Sequence, residues 1–354
     1  MQRFFVFTTL LILVSNLLAF EELPQIPQNA KAPTDPQFHE PLSRGINLVF
    51  QDKFKEALAI FDSLENEFPN HPAPHFFKSA VYQNWMKGYR IQTFQKELEG
   101  NVNSAIEKGK RLMQGSQDSW LNFYVGACLG YRAFFKIRQK KWISGFIDAS
   151  NGIENLEIAL ENQPDIYDSY FGLGSYNYWR TARSKFIQIF AFWLADKREI
   201  GVEQIKIAAN YGAYSRDGAI LALTRVLWDF GKQEEALETI ENYIANSPKP
   251  PLDAFYKRAK LYLYLSQWDK VETEFEQILS RLENYEFPSY NFQVECKYLI
   301  AKAAFEQGKK AKAKKNCDEG LELAAKINLK NELESVFQSS EELVELLKEL
   351  RSKI

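Results

Sequence analysis

A small residue followed by the same landmarks recurs along this chain, and no other feature restricts its fold as tightly. Ala57 is followed by Phe61 four residues on, Leu64 seven on and Pro69 twelve on; Gly152 is followed by Leu156, Ala159 and Pro164 at the same offsets, and Ala236 by Ile240, Tyr243 and Pro248. Gly201, Val271 and Ala313 open weaker copies. Offsets of four and seven set the small residue and two larger apolar ones on one helical face. Proline at the twelfth position cannot continue the helix, so each copy is one amphipathic helix with its own stop. The space between copies holds a partner helix. A two-helix unit cannot bury its apolar face alone, so such units stack into a continuous core.

These residues resemble the second helix of the tetratricopeptide repeat (TPR), over about residues 38–326. The resemblance is specific in four units and permissive in three. It implies an all-α fold, an α-α superhelical solenoid of about seven TPR-like helix pairs with a C-terminal capping helix. The pairs are expected at 38–51 and 54–68, 72–87 and 91–114, 117–137 and 142–162, 165–180 and 197–211, 214–230 and 233–246, 251–265 and 268–283, and 291–307 and 310–326. Gly201 to Ala236 and Ala236 to Val271 are each 35 residues, whereas Gly152 to Gly201 is 49. The excess matches an apolar insert at 181–195. In the repeat, Gly45 and Ala57 are expected to face each other where the first two helices pack closest. Residues 327–354, dense in charge from Glu332 to Glu349, are expected to form the capping helix, over 330–352.

Two segments precede the solenoid. Residues 1–20 read as a secretory signal: Arg3, the apolar run Phe4–Val14, and Leu17 and Ala19 at a small-residue cleavage site. The run is short of the roughly 20 apolar residues of a membrane span, although an uncleaved N-terminal membrane anchor is the alternative. Residues 21–41 carry five prolines and read as an extended linker. The reading is therefore of a periplasmic or secreted protein of a bacterial envelope. A net charge of −2 argues against a nucleic-acid partner. Cys128, Cys296 and Cys317 read as buried thiols, and a Cys296–Cys317 bridge is the alternative.

TPR-type relatives mostly bind proteins or peptides on the concave face, so the resemblance implies a scaffold or adaptor holding a protein or an extended peptide. Carrying the groove-lining positions over residue by residue gives a cation stripe, Arg225, Lys260 and Lys302, beside aromatic residues Tyr176, Trp228, Tyr256 and Tyr298. Cations grip carboxylates and aromatic rings add stacking area, which suits an acidic peptide. The competing reading is of solvated groove residues with aromatics packed between helices.

Residues 165–213, with Tyr170-Phe-Gly-Leu-Gly-Ser-Tyr-Asn-Tyr178, an apolar insert and Asp196-Lys-Arg-Glu-Ile-Gly201, are similar to a segment of TTC39/Iml2-type TPR proteins, from which no function is carried over. The insert 185–194 supplies the alternative function, a carrier of a hydrophobic small molecule or lipid, with Phe186, Phe190 and Trp193 as contacts to ligand or membrane. Basic runs at Lys309–Lys315 and Arg138–Lys141 read first as solvated faces.

Catalytic chemistry is poorly represented. The only histidines are His39, His71 and His75. His71 and His75 have a metal-like spacing but lack obvious Cys, Asp or Glu partners, and no phosphate loop or nucleophile elbow is present. The expectation is a non-enzyme without metal or cofactor.

Overall fold

The computed structural model of the protein describes residues 36–138, 141–182 and 196–354. The leader 1–20, residues 21–35 of the linker, and Phe186, Phe190 and Trp193 of the insert lie outside the described residues, and residues 36–41, expected as extended linker, instead open the first helix, with Pro41 inside it. Among the described residues there are fifteen helices and no strand. They are α1 Pro36–Val49 with α2 Phe54–Glu67, α3 Ala73–Tyr89 with α4 Gln95–Leu112, α5 Ser119–Arg138 with α6 Trp142–Asn162, α7 Ser169–Ala182 with α8 Arg198–Tyr211, α9 Arg216–Asp229 with α10 Gln233–Asn246, α11 Leu252–Tyr264 with α12 Trp268–Glu283, α13 Tyr290–Glu306 with α14 Lys310–Ala324, and α15 Ser340–Ser352. The architecture is an α-α solenoid of seven TPR-like pairs and a closing helix.

The recurring residues are the ones that join the helices. Ala57, Phe61 and Leu64, then Leu156 and Ala159, then Ala236, Ile240 and Tyr243, are all buried. In five of the pairs the turn between the two helices holds one residue in the left-handed region: Asp52 (φ 57°), Arg90 (53°), Gly231 (86°), Ser266 (55°) and Gly308 (74°). Closest approach falls on glycines. A Cβ on Gly174 would lie 2.7 Å from the Gly201 carbonyl oxygen, and one on Gly201 would lie 2.7 Å from that of Gly174, so α7 and α8 touch backbone to backbone. In the first pair the tightest packing on Gly45 comes from Phe61. The nearest atoms to a Cβ on Gly45 belong to the ring of Phe61, one turn beyond Ala57, and the glycine makes room for that fully buried ring.

The closing helix also departs from expectation. It begins at Ser340, and residues 327–339 before it are irregular. Ser339 marks the start: its hydroxyl accepts from the Glu342 N–H (3.2 Å) while its own N–H donates to the Glu342 carboxylate (2.7 Å). This reciprocal cap was readable in Ser339-Ser-Glu-Glu342, whereas charge density upstream of it was not a helix signal. All three cysteines are buried and unpaired.

The solenoid curls until its early pairs meet its late ones. The Asp52 carboxylate, in the α1–α2 turn, accepts from the Leu252 N–H (2.8 Å), Tyr89 Oη (3.2 Å) and Arg281 Nη2 (2.5 Å). Tyr89 stacks on Tyr285 with centroids 3.8 Å apart, and Trp85 and Phe94 meet Phe287. Around the other ends of the inner helices, Asp168 accepts three N–H groups of Ala213, Tyr214 and Ser215 (2.7–2.9 Å). That ties down a loop whose Tyr214 ring packs on Phe77 and Trp120 and whose hydroxyl meets His39. The concave side is therefore filled at this end by aromatic side chains.

Candidate functional site: the inner face and the strap across it

The stripe expected on the inner face is carried by α9, α11 and α13, but it is not a row of exposed cations. Lys260 is 5% exposed. Its Nζ lies 3.3 Å from Glu295 Oε1, and Glu295 also accepts from Tyr256 Oη (2.9 Å) and from Arg90 Nη1 (2.5 Å). The Arg90 guanidinium lies 3.8 Å from the Phe292 ring centroid and 4.8 Å from that of Tyr256. The expectation of an exposed Lys260 is thus corrected. A buried carboxylate from the next inner helix claims the lysine, and an arginine from the second pair completes the cluster.

Burial alone would push the Glu295 pKa up, but Arg90 and Lys260 outweigh it and hold the carboxylate below its usual range. Lys260 is shifted below the ordinary lysine range by burial, with Arg90 and Lys302 adding to the shift and Glu295 opposing it. On the same helix Lys257 falls to about 8, through burial and through repulsion from Lys87 and Arg225, although Asp253 opposes the shift. Arg90, Lys87, Arg225, Lys257 and Lys260 thus share this region with the carboxylates Asp253 and Glu295, and Asp52 lies close enough to Asp253 to act on it.

A segment of the chain itself lies over these residues. Between α14 and α15, residues 328–338 run as a strap. The Gln92 N–H donates to the Asn331 carbonyl (2.8 Å) and the Leu333 N–H to the Arg90 carbonyl (2.9 Å), around the isolated Ile91–Glu332 bridge. Glu332 is buried and accepts from the N–H groups of Asn291 (2.7 Å) and Asn328 (3.0 Å). Past this anchor the strap is more open, with Val336 largely exposed. Phe337 then turns inward, with its centroid 5.3 Å from Trp228, 4.5 Å from the Arg225 guanidinium and 4.5 Å from Lys260 Nζ. Arg225, Trp228, Lys260 and Tyr256 are therefore brought together, with Phe337 against the first three.

Of the other expected residues, Lys302 lies near enough to act on Lys260, while Tyr298 and Tyr176 have other neighbours. Lys302 is half-buried, with its Nζ 5.8 Å from the Trp268 ring. Tyr298 is buried, with Glu349 of the closing helix and Cys317 of α14 as neighbours. Tyr176, on α7, has the Arg180 guanidinium 5.4 Å from its ring. Sequence reading missed Arg90, Glu295 and Phe337. Arg90 has a positive φ at the end of α3, which no spacing signals, and Phe337 lies in a stretch without periodicity.

The remaining polar candidates are engaged internally. His71 Nδ1 accepts the Ala73 N–H (3.2 Å), and its pKa falls to about 4 through burial. His75 sits among Asn101, Glu65 and Lys108. Among the described residues no group of three His, Cys, Asp or Glu side chains could hold a metal. Lys309 and Lys312 pair with Glu272 on α12.

No protein-family model matches the chain. No curated protein matches it either, so the likeness of 165–213 to TTC39/Iml2-type proteins gains no support there. Solved structures do show similarity. The C-terminal part of a TPR repeat-containing protein from Cytophaga hutchinsonii aligns over 81% of this chain and 94% of its own, at 14% identity and a TM-score of 0.41. A thermophilic TPR protein from Thermus thermophilus aligns over 63% and 98%, at 18% identity and 0.40. The apo form of the quorum sensor NprR from B. thuringiensis aligns over 90% and 82%, at 12% identity and 0.47. None of the three reaches a TM-score of 0.5, and the fold assignment rests on the helix pairs themselves.

Proposed function

We propose that this protein is a helical-repeat scaffold that binds an extended segment of a protein partner against Arg225, Trp228, Tyr256 and Lys260. One observation carries the reading: a non-helical piece of polypeptide already occupies that surface, with Phe337 seated against Trp228, Arg225 and Lys260. An aromatic anchor in a cationic, ring-lined site is a chemistry that gives peptide affinity. Arg225 and Lys260, both beside the ring position, favour a partner segment bearing Asp or Glu near its aromatic residue. Residues 334–338, only partly covered, are the portion such a segment displaces, while Glu332 keeps the strap attached.

The leader-like residues 1–20 support a further element of the proposal, export to the bacterial envelope. N-terminal sequencing of protein recovered from envelope fractions tests it, with cleavage after Ala19 expected.

The binding experiment uses a fluorescein-labelled synthetic peptide of residues 331–340 and full-length protein carrying Phe337→Ala, which empties the ring site. Saturable anisotropy is expected, lost on adding Arg225→Ala or Trp228→Ala. The same two substitutions are expected to release any stoichiometric protein captured from envelope extract. A peptide that fails to bind, together with a captured protein indifferent to both substitutions, refutes the reading.

A further inference from the structure

Six of the nine large apolar side chains exposed among the described residues crowd onto one hairpin tip, where α5 ends and α6 begins. Trp142, Ile143, Phe146 and Ile147 follow the spacing i, i+1, i+4, i+5 and share one face of α6. They are 63, 81, 63 and 52% exposed, and Phe134 and Ile137 of α5 adjoin them in sequence. This face is held in place. Gly145 packs on Ile137, where an added Cβ would stand 2.8 Å from Cγ1, and the Lys141 N–H donates to the Lys136 carbonyl at 2.8 Å. One turn on, Asp148 accepts from Arg132 Nε (2.8 Å) and Nη2 (2.9 Å) and lies 2.6 Å from Lys136 Nζ. A fixed apolar face of this kind on a water-facing surface marks a contact.

The charge around it says what kind. From Tyr131 to Ile147 the sequence holds Arg132, Lys136, Arg138, Lys140 and Lys141 and no acidic residue, in a chain of net charge −2. Beside the tip an open cleft of about 290 Å³ is lined by Arg132, Lys136 and Lys141 together with Glu99, Val102, Asn103 and Phe135, so three cations face one carboxylate there. Aromatic and aliphatic side chains flanked by lysine and arginine are the composition of a segment that lies in the headgroup region of a bilayer. The buried centre of a protein–protein interface is, by contrast, depleted of lysine. No described helix is long and apolar enough to cross a membrane, so contact at this tip is a surface contact.

We propose that this hairpin tip docks the protein on an anionic phospholipid bilayer. Trp142, Ile143, Phe146 and Ile147 enter the upper acyl region, and the lysine and arginine side chains beside them, Lys141 foremost because Arg132 and Lys136 are shared with Asp148, face the lipid phosphates. The site is independent of the Arg225–Phe337 surface and of the reading built on it.

The test uses the full chain and vesicles of phosphatidylcholine with or without phosphatidylglycerol, read by hydrogen exchange over residues 134–147. Because the readout is local, membrane contact by another segment does not mimic it. Protection is expected with phosphatidylglycerol, and it is expected to fade in pure phosphatidylcholine and at high salt. Ile143→Glu combined with Phe146→Glu changes only exposed positions. It is expected to leave the thermal midpoint unchanged and to lower vesicle partitioning by about tenfold or more. Three results overturn the proposal: unprotected residues at saturating vesicle; a double variant that partitions like the parent; and vesicle-free, concentration-dependent protection of the tip that the variant abolishes, which would assign the face to a second copy of the chain.

Discussion

Glu295 is the residue on which the inner face balances, and replacing it by glutamine tests that directly. The side chain is fully buried, with Arg90, Lys260 and Tyr256 all directed at its two oxygens. Glutamine keeps the shape and much of the hydrogen bonding but removes the charge, leaving two cations buried with no counter-ion. Breaking a buried pair in this way costs about 3–5 kcal/mol. Lys260 can relieve part of that by releasing its proton, since burial already depresses its pKa, whereas a guanidinium cannot. The expected loss is therefore near the lower figure, about 3 kcal/mol. With a urea slope of about 1–3 kcal/mol/M, the denaturation midpoint falls by about 1 M or more, with native helicity unchanged. Lys260→Met alone removes a cation already disfavoured by burial and costs under about 1.5 kcal/mol. In the Glu295→Gln background the same change restores about 1 kcal/mol or more. A Glu295→Gln loss below about 1 kcal/mol, or simple additivity in the double variant, refutes the view that the three charges act as one unit.

Three further outcomes are expected. His71 has a folded pKa of about 4 against 6.5 unfolded, so the unfolded chain takes up the proton first and stability falls as pH drops through that window. The loss is about 3 kcal/mol by pH 4; thermal midpoints measured at pH 7 and pH 4 should differ less in His71→Gln than in the parent. Gly174→Ala gains about 1 kcal/mol of helix propensity, but its Cβ meets the Gly201 carbonyl at 2.7 Å. The net effect is a loss of about 1–3 kcal/mol, and a stabilised variant in urea melts would contradict the backbone contact. Ser339→Ala removes the cap of α15 and costs about 1 kcal/mol; faster amide exchange is expected in residues 340–343 and none in α9.

The helix pairs were legible in the sequence because local rules decide them. Apolar spacing selects the buried face, and Pro69, Pro164 and Pro248 end three of the outer helices. Gly174 and Gly201 could be read as packing positions because a missing side chain has few other uses in a helix. The cation stripe was legible as to which residues it contains, but not as to their state. Whether Lys260 meets solvent depends on Glu295, 35 residues away, and on Arg90, 205 residues from that glutamate. The same holds for the strap, where Phe337 reaches Trp228 across 109 residues by way of a stretch with no period of its own. How far the solenoid curls is the sum of small rotations at each helix contact, fixed by side-chain shapes that a single-sequence pattern does not encode. The sequence by itself therefore determined the repeat, and tertiary structure decided that the repeat closes over its own inner face, because the charges that meet there come from opposite ends of the chain.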